Sequence, residues 1–253
     1  MLFKSTRFAA LLAALSTSTA LVAHGHPHLI RREDMGFGGF ISGLFKSSSN
    51  SVAPSTGQFQ ACTQTQIKDI QEAIPAADKI QKDAWSYLQG LGPNPDPKNT
   101  KLKRYEKWFG SFSPNRYKTV YNLIRVLPQS HLSKAKYICR PESYTSCKAS
   151  NSDFTTIAYV QENTIGEVNI CPGFKTQLFR RSPSDLGKIL FHEWTHFAWK
   201  KIDSSILGAI DVRDFDGGAY YAKTDCKNLA KTEAGNAVMN AENYACFAAN
   251  LRR

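Results

Sequence analysis

Two histidines and a glutamate are spaced in this 253-residue chain as a metal site on a helix requires. They stand in the run His192-Glu193-Trp194-Thr195-His196. An i, i+4 spacing places both imidazoles on one helix face, about one turn apart, where both can bind a single Zn²⁺. Glu193 then lies beside the open position of the metal, where a carboxylate can take a proton from water. The pattern predicts peptide-bond hydrolysis with one zinc ion as cofactor and Glu193 as general base.

The third zinc ligand is expected to be a carboxylate, because little histidine is left outside the motif. No histidine follows the motif at the spacing that supplies a third one in some zinc peptidases. Three others precede a dibasic sequence and are expected to leave with a pro-segment: His24, His26 and His28. The last, His131, lies far upstream.

Five carboxylates that follow the motif are candidates for this ligand. Those in the segment directly after the motif helix are favoured, because a short aspartate there can turn back to the metal and the nearby glycines permit a sharp turn: Asp211, Asp214 and Asp216. Glu233 and Glu242 lie on predicted helix and rank behind them.

The motif is expected to lie on a helix that begins at a capped turn. Ser182-Pro183-Ser184-Asp185 supplies a cap residue, a proline at the first helical position and an acid at the third, so the motif helix is predicted to continue from Leu186 to Trp199. Apolar periodicity predicts further helices, the first with a kink at Pro75, and β-branched, alternating stretches predict strands. The helices are predicted over 63–88, 102–109, 114–127 and 224–251, and the strands over 154–160 and 166–171, joined by a turn at 161–165. This order of elements predicts an α+β fold with a helical first half.

The N-terminus has the features of an exported precursor. Two basic residues, a short apolar run and small residues predict a signal peptide over 1–20. A pro-segment is predicted over 21–32, ending at Arg31-Arg32, then a flexible Gly/Ser-rich segment over 33–60 and one folded domain over 61–253. The expected location is therefore secreted, and the apolar run is too short to span a membrane.

The charge of the chain and its distribution indicate which class of partner to expect. The formal charge is +11, and loss of residues 1–32 removes four basic residues and no acid, leaving +7. These charges are scattered, which argues against nucleic-acid binding. The expected partner is a protein or peptide substrate, with neither membrane nor nucleic acid, and the expected state is a monomer.

Six cysteines in an exported chain predict three disulfides, paired as neighbours in the element order: Cys62 with Cys139, Cys147 with Cys171, and Cys226 with Cys246.

Several local sequences together resemble those of the deuterolysin-like metalloendopeptidases, or aspzincins, which include fungal peptidyl-Lys metalloendopeptidases. The resemblance covers roughly 61–251, and it rests on five stretches: Trp108-Phe109-Gly110, the strand Val168 to Cys171, the HEWTH motif, the Asp-rich segment ending Ala219-Tyr220-Tyr221, and Asn240 to Ala248.

The resemblance implies a zincin-like metalloprotease fold with a small mixed or antiparallel sheet, the HExxH helix and C-terminal helices. It implies secreted proteolysis and a zinc held by His192, His196 and an aspartate, with Glu193 as general base. By position in the family motif that aspartate is Asp214, although this chain lacks the Gly-Thr pair and the final glycine of that motif. Tyr220 is the candidate donor to the developing oxyanion.

The expected function is thus a secreted zinc endopeptidase. The alternative is a secreted zinc-binding protein or antigen that has kept the site and lost turnover. An extended substrate is expected to lie along the strand Val168 to Cys171, taken as the edge of the sheet.

Overall fold

The computed structural model describes residues 28–31, 57–127, 132–147, 154–161, 164, 166–175, 182–197, 209–212 and 222–250. Seven α-helices are assigned among them: α1 (Gln64–Leu91), α2 (Leu102–Phe109), α3 (Pro114–Val126), α4 (Pro183–Thr195), α5 (Lys223–Thr232), α6 (Ala234–Ala237) and α7 (Ala241–Ala249). Five strands accompany them: β1 (His28–Arg31), β2 (Phe59–Gln60), β3 (Lys136–Cys139), β4 (Phe154–Val160) and β5 (Glu167–Ile170).

The five strands form one mixed sheet in the order β1-β4-β5-β3-β2. β1 pairs antiparallel with β4 and β4 antiparallel with β5, whereas β5 pairs parallel with β3 and β3 parallel with β2. The expectation that Val168 to Cys171 forms the sheet edge is wrong, because β5 has a hydrogen-bonded neighbour on each side. Without β1, the edge on that side of the sheet would be β4.

α1 is the long helix against which the rest of the fold packs. Its first turn is fixed by a capping box, in which the Thr63 hydroxyl accepts from the Gln66 amide and the Gln66 side chain accepts from the Thr63 amide. The helix continues through Pro75, whose side chain is exposed, and ends at Gly92 with φ +79°. A buried stripe at helical spacing faces the core, chiefly against α4: Ile70, Ala73, Ala77, Ala84 and Leu88.

An aromatic cluster joins α2 and α3 to α7 on another side of the core. The Phe109 ring lies 5.1 Å from that of Tyr244 and 5.4 Å from that of Phe247, and Tyr105 packs edge-on against Tyr117. Asn243 ties the same elements through hydrogen bonds, donating to the carbonyl oxygens of Trp108 (2.5 Å) and Cys226 (2.9 Å). α7 is thereby fixed at its first turn, which also adjoins the motif helix.

Two of the three expected disulfides are confirmed. Cys62–Cys139 joins the start of α1 to β3, and Cys147–Cys171 joins the segment after β3 to the end of β5. The third pairing is not formed, because the Sγ atoms of Cys226 and Cys246 lie 3.3 Å apart as thiols. Cys246 instead has a carboxylate oxygen of Glu242 within hydrogen-bond distance, at 3.5 Å.

The C-terminal region is largely helical, as expected, and it is divided into the three helices α5, α6 and α7. The chain leaves helical geometry at Glu233, which has φ −141°, and again before Asn240, the residue that precedes α7. Among the described residues, no helix combines the length and the apolar character needed to cross a bilayer.

Candidate metal centre

His192 lies on α4 and His196 directly follows the last residue of this helix, which begins at the capped turn that the sequence predicts. The Ser182 hydroxyl accepts from the Asp185 amide, and the Asp185 carboxylate accepts from the Ser182 amide at 3.1 Å. The first turn therefore has fewer unpaired amide groups, because Ser182 accepts from one of them and Pro183 has no N–H. The opposite end of α4 lies deep in the core, and every residue from Ile189 to Thr195 is buried.

Asp211 meets the two motif histidines in a buried cluster. His192 Nε2 lies 3.1 Å and His196 Nε2 3.8 Å from Asp211 Oδ1. The two imidazole centroids are 5.1 Å apart, and all three residues are buried. Among the described residues this trio offers three ligand atoms that lie within 4.8 Å of one another.

The chemistry and the spacing of these atoms fit a zinc ion. Two imidazole nitrogens with one carboxylate oxygen form a set that leaves a fourth tetrahedral position open, as catalytic zinc sites do. Ligand atoms about 2.0–2.1 Å from a tetrahedral zinc lie about 3.3 Å from one another. The 3.1 Å and 3.8 Å separations from Asp211 Oδ1 bracket that value.

Main-chain pairing brings Asp211 to the histidines. The Ile210 amide donates to the carbonyl of Met239 at 2.8 Å, and the Ala241 amide donates to the carbonyl of Ile210 at 2.9 Å. Next along the chain, the Val212 amide donates to the Asn240 side chain at 3.2 Å. These bonds hold residues 209–212 beside the first turn of α7. The backbone is thus fixed on both sides of Asp211, at Ile210 and at Val212.

The two histidines have different partners at Nδ1. His192 Nδ1 lies 3.0 Å from Glu242 Oε2, whereas His196 Nδ1 lies 2.7 Å from the carbonyl oxygen of Ala209. In both rings an Nδ1–H donor leaves the Nε2 lone pair available for a metal. Lys188 donates in turn to Glu242 Oε1.

Glu193 lies fully buried next to His192 on the same helix. Neither of its carboxylate oxygens has a hydrogen-bond partner among the residues that the structure describes. A buried carboxylate normally requires such a partner, so this arrangement suits a group that receives a proton from a bound substrate water.

Burial and neighbouring charges shift the acid–base properties of the metal-free cluster. Burial raises the pKa of Glu193 to about 8, in spite of the opposing effect of His192. Burial acts to lower the pKa of His192, but Asp211 and then Glu242 outweigh it and raise that pKa to about 10. The cluster without metal therefore binds protons in place of a cation.

The other predicted site residues are distributed as follows. Asp214, Asp216 and Tyr220 lie outside the described residues. Glu233 is exposed at the start of α6, and Glu242 contacts His192 at Nδ1 rather than on the Nε2 side that Asp211 approaches.

Sequence reasoning did not single out Lys188, although it stands four residues before His192. That i, i+4 spacing puts the two side chains on one face of α4 and was the available signal. The same spacing relates Glu242 to Cys246 on α7, inside a stretch already singled out for its resemblance.

A mostly helical fold with a small mixed sheet and a buried His-His-Asp cluster on and beside the motif helix is the arrangement expected of the zincin class. Residues 96–249 match the aspzincin family model, described as lysine-specific metallo-endopeptidase, and the chain belongs to that family. It is similar to an extracellular protease of Aeromonas hydrophila, at 30% identity over 190 residues, covering 75% of this chain and 46% of that protein. It is also similar to a peptidyl-Lys metalloendopeptidase of Grifola frondosa, at 26% identity over 192 residues, covering 76% of this chain and 46% of that protein.

The solved zinc peptidase from Grifola frondosa has a similar fold. The TM-score is 0.55 at 26% identity, covering 75% of this chain and 97% of that one. This confirms the expected α+β, zincin-like fold. The chain spans about half the length of the Aeromonas and Grifola relatives that it matches in sequence.

Proposed function

We propose that this chain is a secreted endopeptidase that hydrolyses peptide bonds, with one zinc ion as cofactor and Glu193 as general base. The observation that carries the proposal is the convergence of His192, His196 and Asp211 beside the buried Glu193, in a chain of the aspzincin family. The substrate is a protein or peptide, in keeping with the similarity to an extracellular protease and to a peptidyl-Lys metalloendopeptidase.

The roles of the four residues follow from their chemistry. His192 and His196 would hold zinc through Nε2, and Asp211 through a carboxylate oxygen. Zinc held there supplies a Lewis acid that polarises the scissile carbonyl and makes a water molecule more acidic. Glu193 accepts the proton of the attacking water on a carboxylate oxygen and then donates it to the nitrogen of the leaving amine.

Asp211 is the aspartate that we assign as third ligand, in preference to Asp214. Its support is the 3.1 Å and 3.8 Å separations from the two imidazoles, together with the main-chain bonds that hold residues 209–212 in place. Asp211→Ala should therefore weaken zinc binding more than Asp214→Ala does. The reverse order, measured by chelator competition, would return the assignment to the family-motif position.

Tyr220 keeps its proposed role as a hydrogen-bond donor to the developing oxyanion. Loss of such a donor typically lowers kcat by about 10²–10³. Tyr220→Phe should reproduce that loss with unchanged zinc content, and unchanged kcat would remove Tyr220 from the mechanism.

Secretion and processing belong to the same proposal. A cut after Arg31-Arg32 would release β1 from the edge of β4, a strand that also packs against the motif helix. The freed edge could then pair with an extended substrate through main-chain hydrogen bonds. N-terminal sequencing of secreted protein should give a start at or after Glu33, and a start at Leu21 or His24 would show that the dibasic site is not used.

The decisive experiment compares the processed chain with its Glu193→Gln variant on a denatured protein substrate. Mass spectrometry maps the cuts with and without a chelator, and metal analysis is done on the same samples. We expect defined cuts that the chelator abolishes, and a variant that keeps zinc but loses several orders of magnitude of activity, because the amide cannot accept a proton.

Glu72→Gln makes the same chemical change at an exposed position of α1 and serves as the control. Substantial turnover by Glu193→Gln would remove Glu193 as base. Zinc binding without any cuts by the wild-type chain would instead support an inactive zinc-binding protein. The cut map also shows which residue flanks the cleaved bond, lysine or another.

A further inference from the structure

We propose that Glu242, held in place by Lys188, is a positioning residue that sets the orientation and basicity of the zinc ligand His192. This role rests on the proposed function, because it concerns how one histidine presents its Nε2 atom to a metal. It is a separate assignment from the ligands themselves.

Both carboxylate oxygens of Glu242 are engaged inside the protein. Oε2 lies 3.0 Å from His192 Nδ1, while Oε1 accepts from the Lys188 ammonium and has Cys246 Sγ at 3.5 Å. The Glu242 side chain is only 2% exposed. Its position relative to the imidazole is therefore fixed by contacts at both ends of the carboxylate.

The contact with His192 selects one tautomer of the ring. A carboxylate at Nδ1 can only accept, so when Nε2 binds a metal the remaining ring proton of His192 stays on Nδ1. A carboxylate partner also makes the imidazole a more basic ligand than a carbonyl partner does. His196, whose Nδ1 partner is the Ala209 carbonyl, lacks this second effect.

Lys188 stabilises the ionised form of the buried Glu242 carboxylate. Glu242 is one of three buried acids near the histidines, together with Glu193 and Asp211, and like charges in a buried site oppose ionisation. The Lys188 ammonium offsets the charge of Glu242, and its contact with Oε1 directs Oε2 towards His192. Lys188 and His192 are one turn apart on α4, so the helix itself sets their spacing.

The test measures zinc binding rather than turnover alone. Processed wild-type protein is stripped of metal, and its zinc dissociation constant is obtained by competition with a chelator. The visible spectrum of the Co²⁺-substituted protein reports the ligand field at the metal. Glu242→Gln keeps the size of the side chain and a carbonyl acceptor for Nδ1, whereas Glu242→Ala removes the acceptor.

Loss of a group that supports a metal ligand typically weakens metal binding by about 10–100-fold. We expect Glu242→Gln near the lower end of that range and Glu242→Ala near the upper end, each with a shifted Co²⁺ spectrum. Lys188→Met should weaken zinc less than Glu242→Ala, because His192 keeps its acceptor. Glu167→Gln is the matched control, since it makes the same change in a Lys136–Glu167 ion pair between β3 and β5.

A purely structural role for Glu242 predicts a different result. Lower stability of the metal-free Glu242→Gln protein, with a zinc dissociation constant within about twofold of wild type and an unchanged Co²⁺ spectrum, overturns the proposal. A raised KM for lysine peptides with unchanged zinc affinity overturns it as well, in favour of a substrate-binding acid. If the wild-type protein binds no zinc, the proposed function fails too, whereas tight wild-type binding with unchanged variants removes only the role of Glu242.

Discussion

Gly187, the one glycine of α4, lies where this helix packs closely against α1. A Cβ atom at this position would lie 2.7 Å from the Cβ of Ala76 and 2.8 Å from the backbone nitrogen of Ala77. Two carbon atoms are in ordinary contact at about 3.5 Å or more, so Gly187→Ala requires the helices to separate by about 0.8 Å. The obstacle includes backbone, which cannot rotate away as a side chain can.

Two opposing terms set the size of the effect. Alanine is better than glycine in a helix interior by about 1 kcal/mol, whereas overpacking a close contact costs about 1–3 kcal/mol and occasionally more. We expect Gly187→Ala to lower the free energy of unfolding by up to about 2 kcal/mol, because the gain in helix preference offsets part of the overpacking. His192 lies five residues further along the same helix, so displacement of α4 should also weaken zinc binding.

Gly90→Ala provides the matched control near the end of α1. A Cβ there meets no atom within 4 Å, so only the helix preference acts, and a gain of about 0.5–1 kcal/mol is expected. Denaturant unfolding of the metal-free proteins measures both variants. If Gly187→Ala is as stable as Gly90→Ala, the close packing of α4 on α1 is wrong.

Three further predictions concern the centre and the elements that hold it. Burial acts to lower the pKa of His192, but Asp211 outweighs it and raises that pKa to about 10. Zinc binding by the metal-free protein should therefore release a proton. By the same shift, the metal-free protein should lose stability as the pH rises from about 6.5 towards 10, and a pH-independent zinc affinity with flat stability would contradict both statements. Ser182→Ala should cost about 0.5–2 kcal/mol in unfolding experiments through loss of the α4 cap, and Ser184→Ala, at an exposed position two residues further on, is the comparison. Asn243→Ala should cost at least about 2 kcal/mol, because two buried carbonyl groups lose their donor, and equal stability would refute the assigned contacts.

The parts of the fold that could be predicted from sequence are those set by local rules. The capping turn at Ser182 and the spacing of His192 and His196 act within one helix, so reading them requires no knowledge of the rest of the chain. The strand β4 has a long β-branched and aromatic run, and it was predicted with the bounds that it has in the structure. β3 was missed, because Lys-Tyr-Ile-Cys does not alternate polar and apolar residues, whereas the equally short Glu-Val-Asn-Ile of β5 does.

The non-local parts of the site were beyond sequence reasoning. Asp211 reaches the histidines because Ile210 bridges to the segment around Asn240, and that pairing joins positions about 30 residues apart. Lys188 and Glu242 meet because α4 packs against α7, which no pattern in either helix specifies. The division of 224–251 into three helices depends on the backbone at Glu233 and Asn240, where no glycine or proline marks the break.

The pairing of β1 with β4 also has a consequence for aggregation. β4 reads Phe-Thr-Thr-Ile-Ala-Tyr-Val, a seven-residue strand without a charge, a proline or a glycine. Uncovered edges of that composition recruit strands from other molecules, and many proteins protect such edges with charges, bulges or a covering segment. Residues 28–31 cover this edge in the structure. If the chain is cut after Arg32 as proposed, the segment would keep uncut chains apart, and its removal should make the protein more prone to self-association when no peptide lies on the edge.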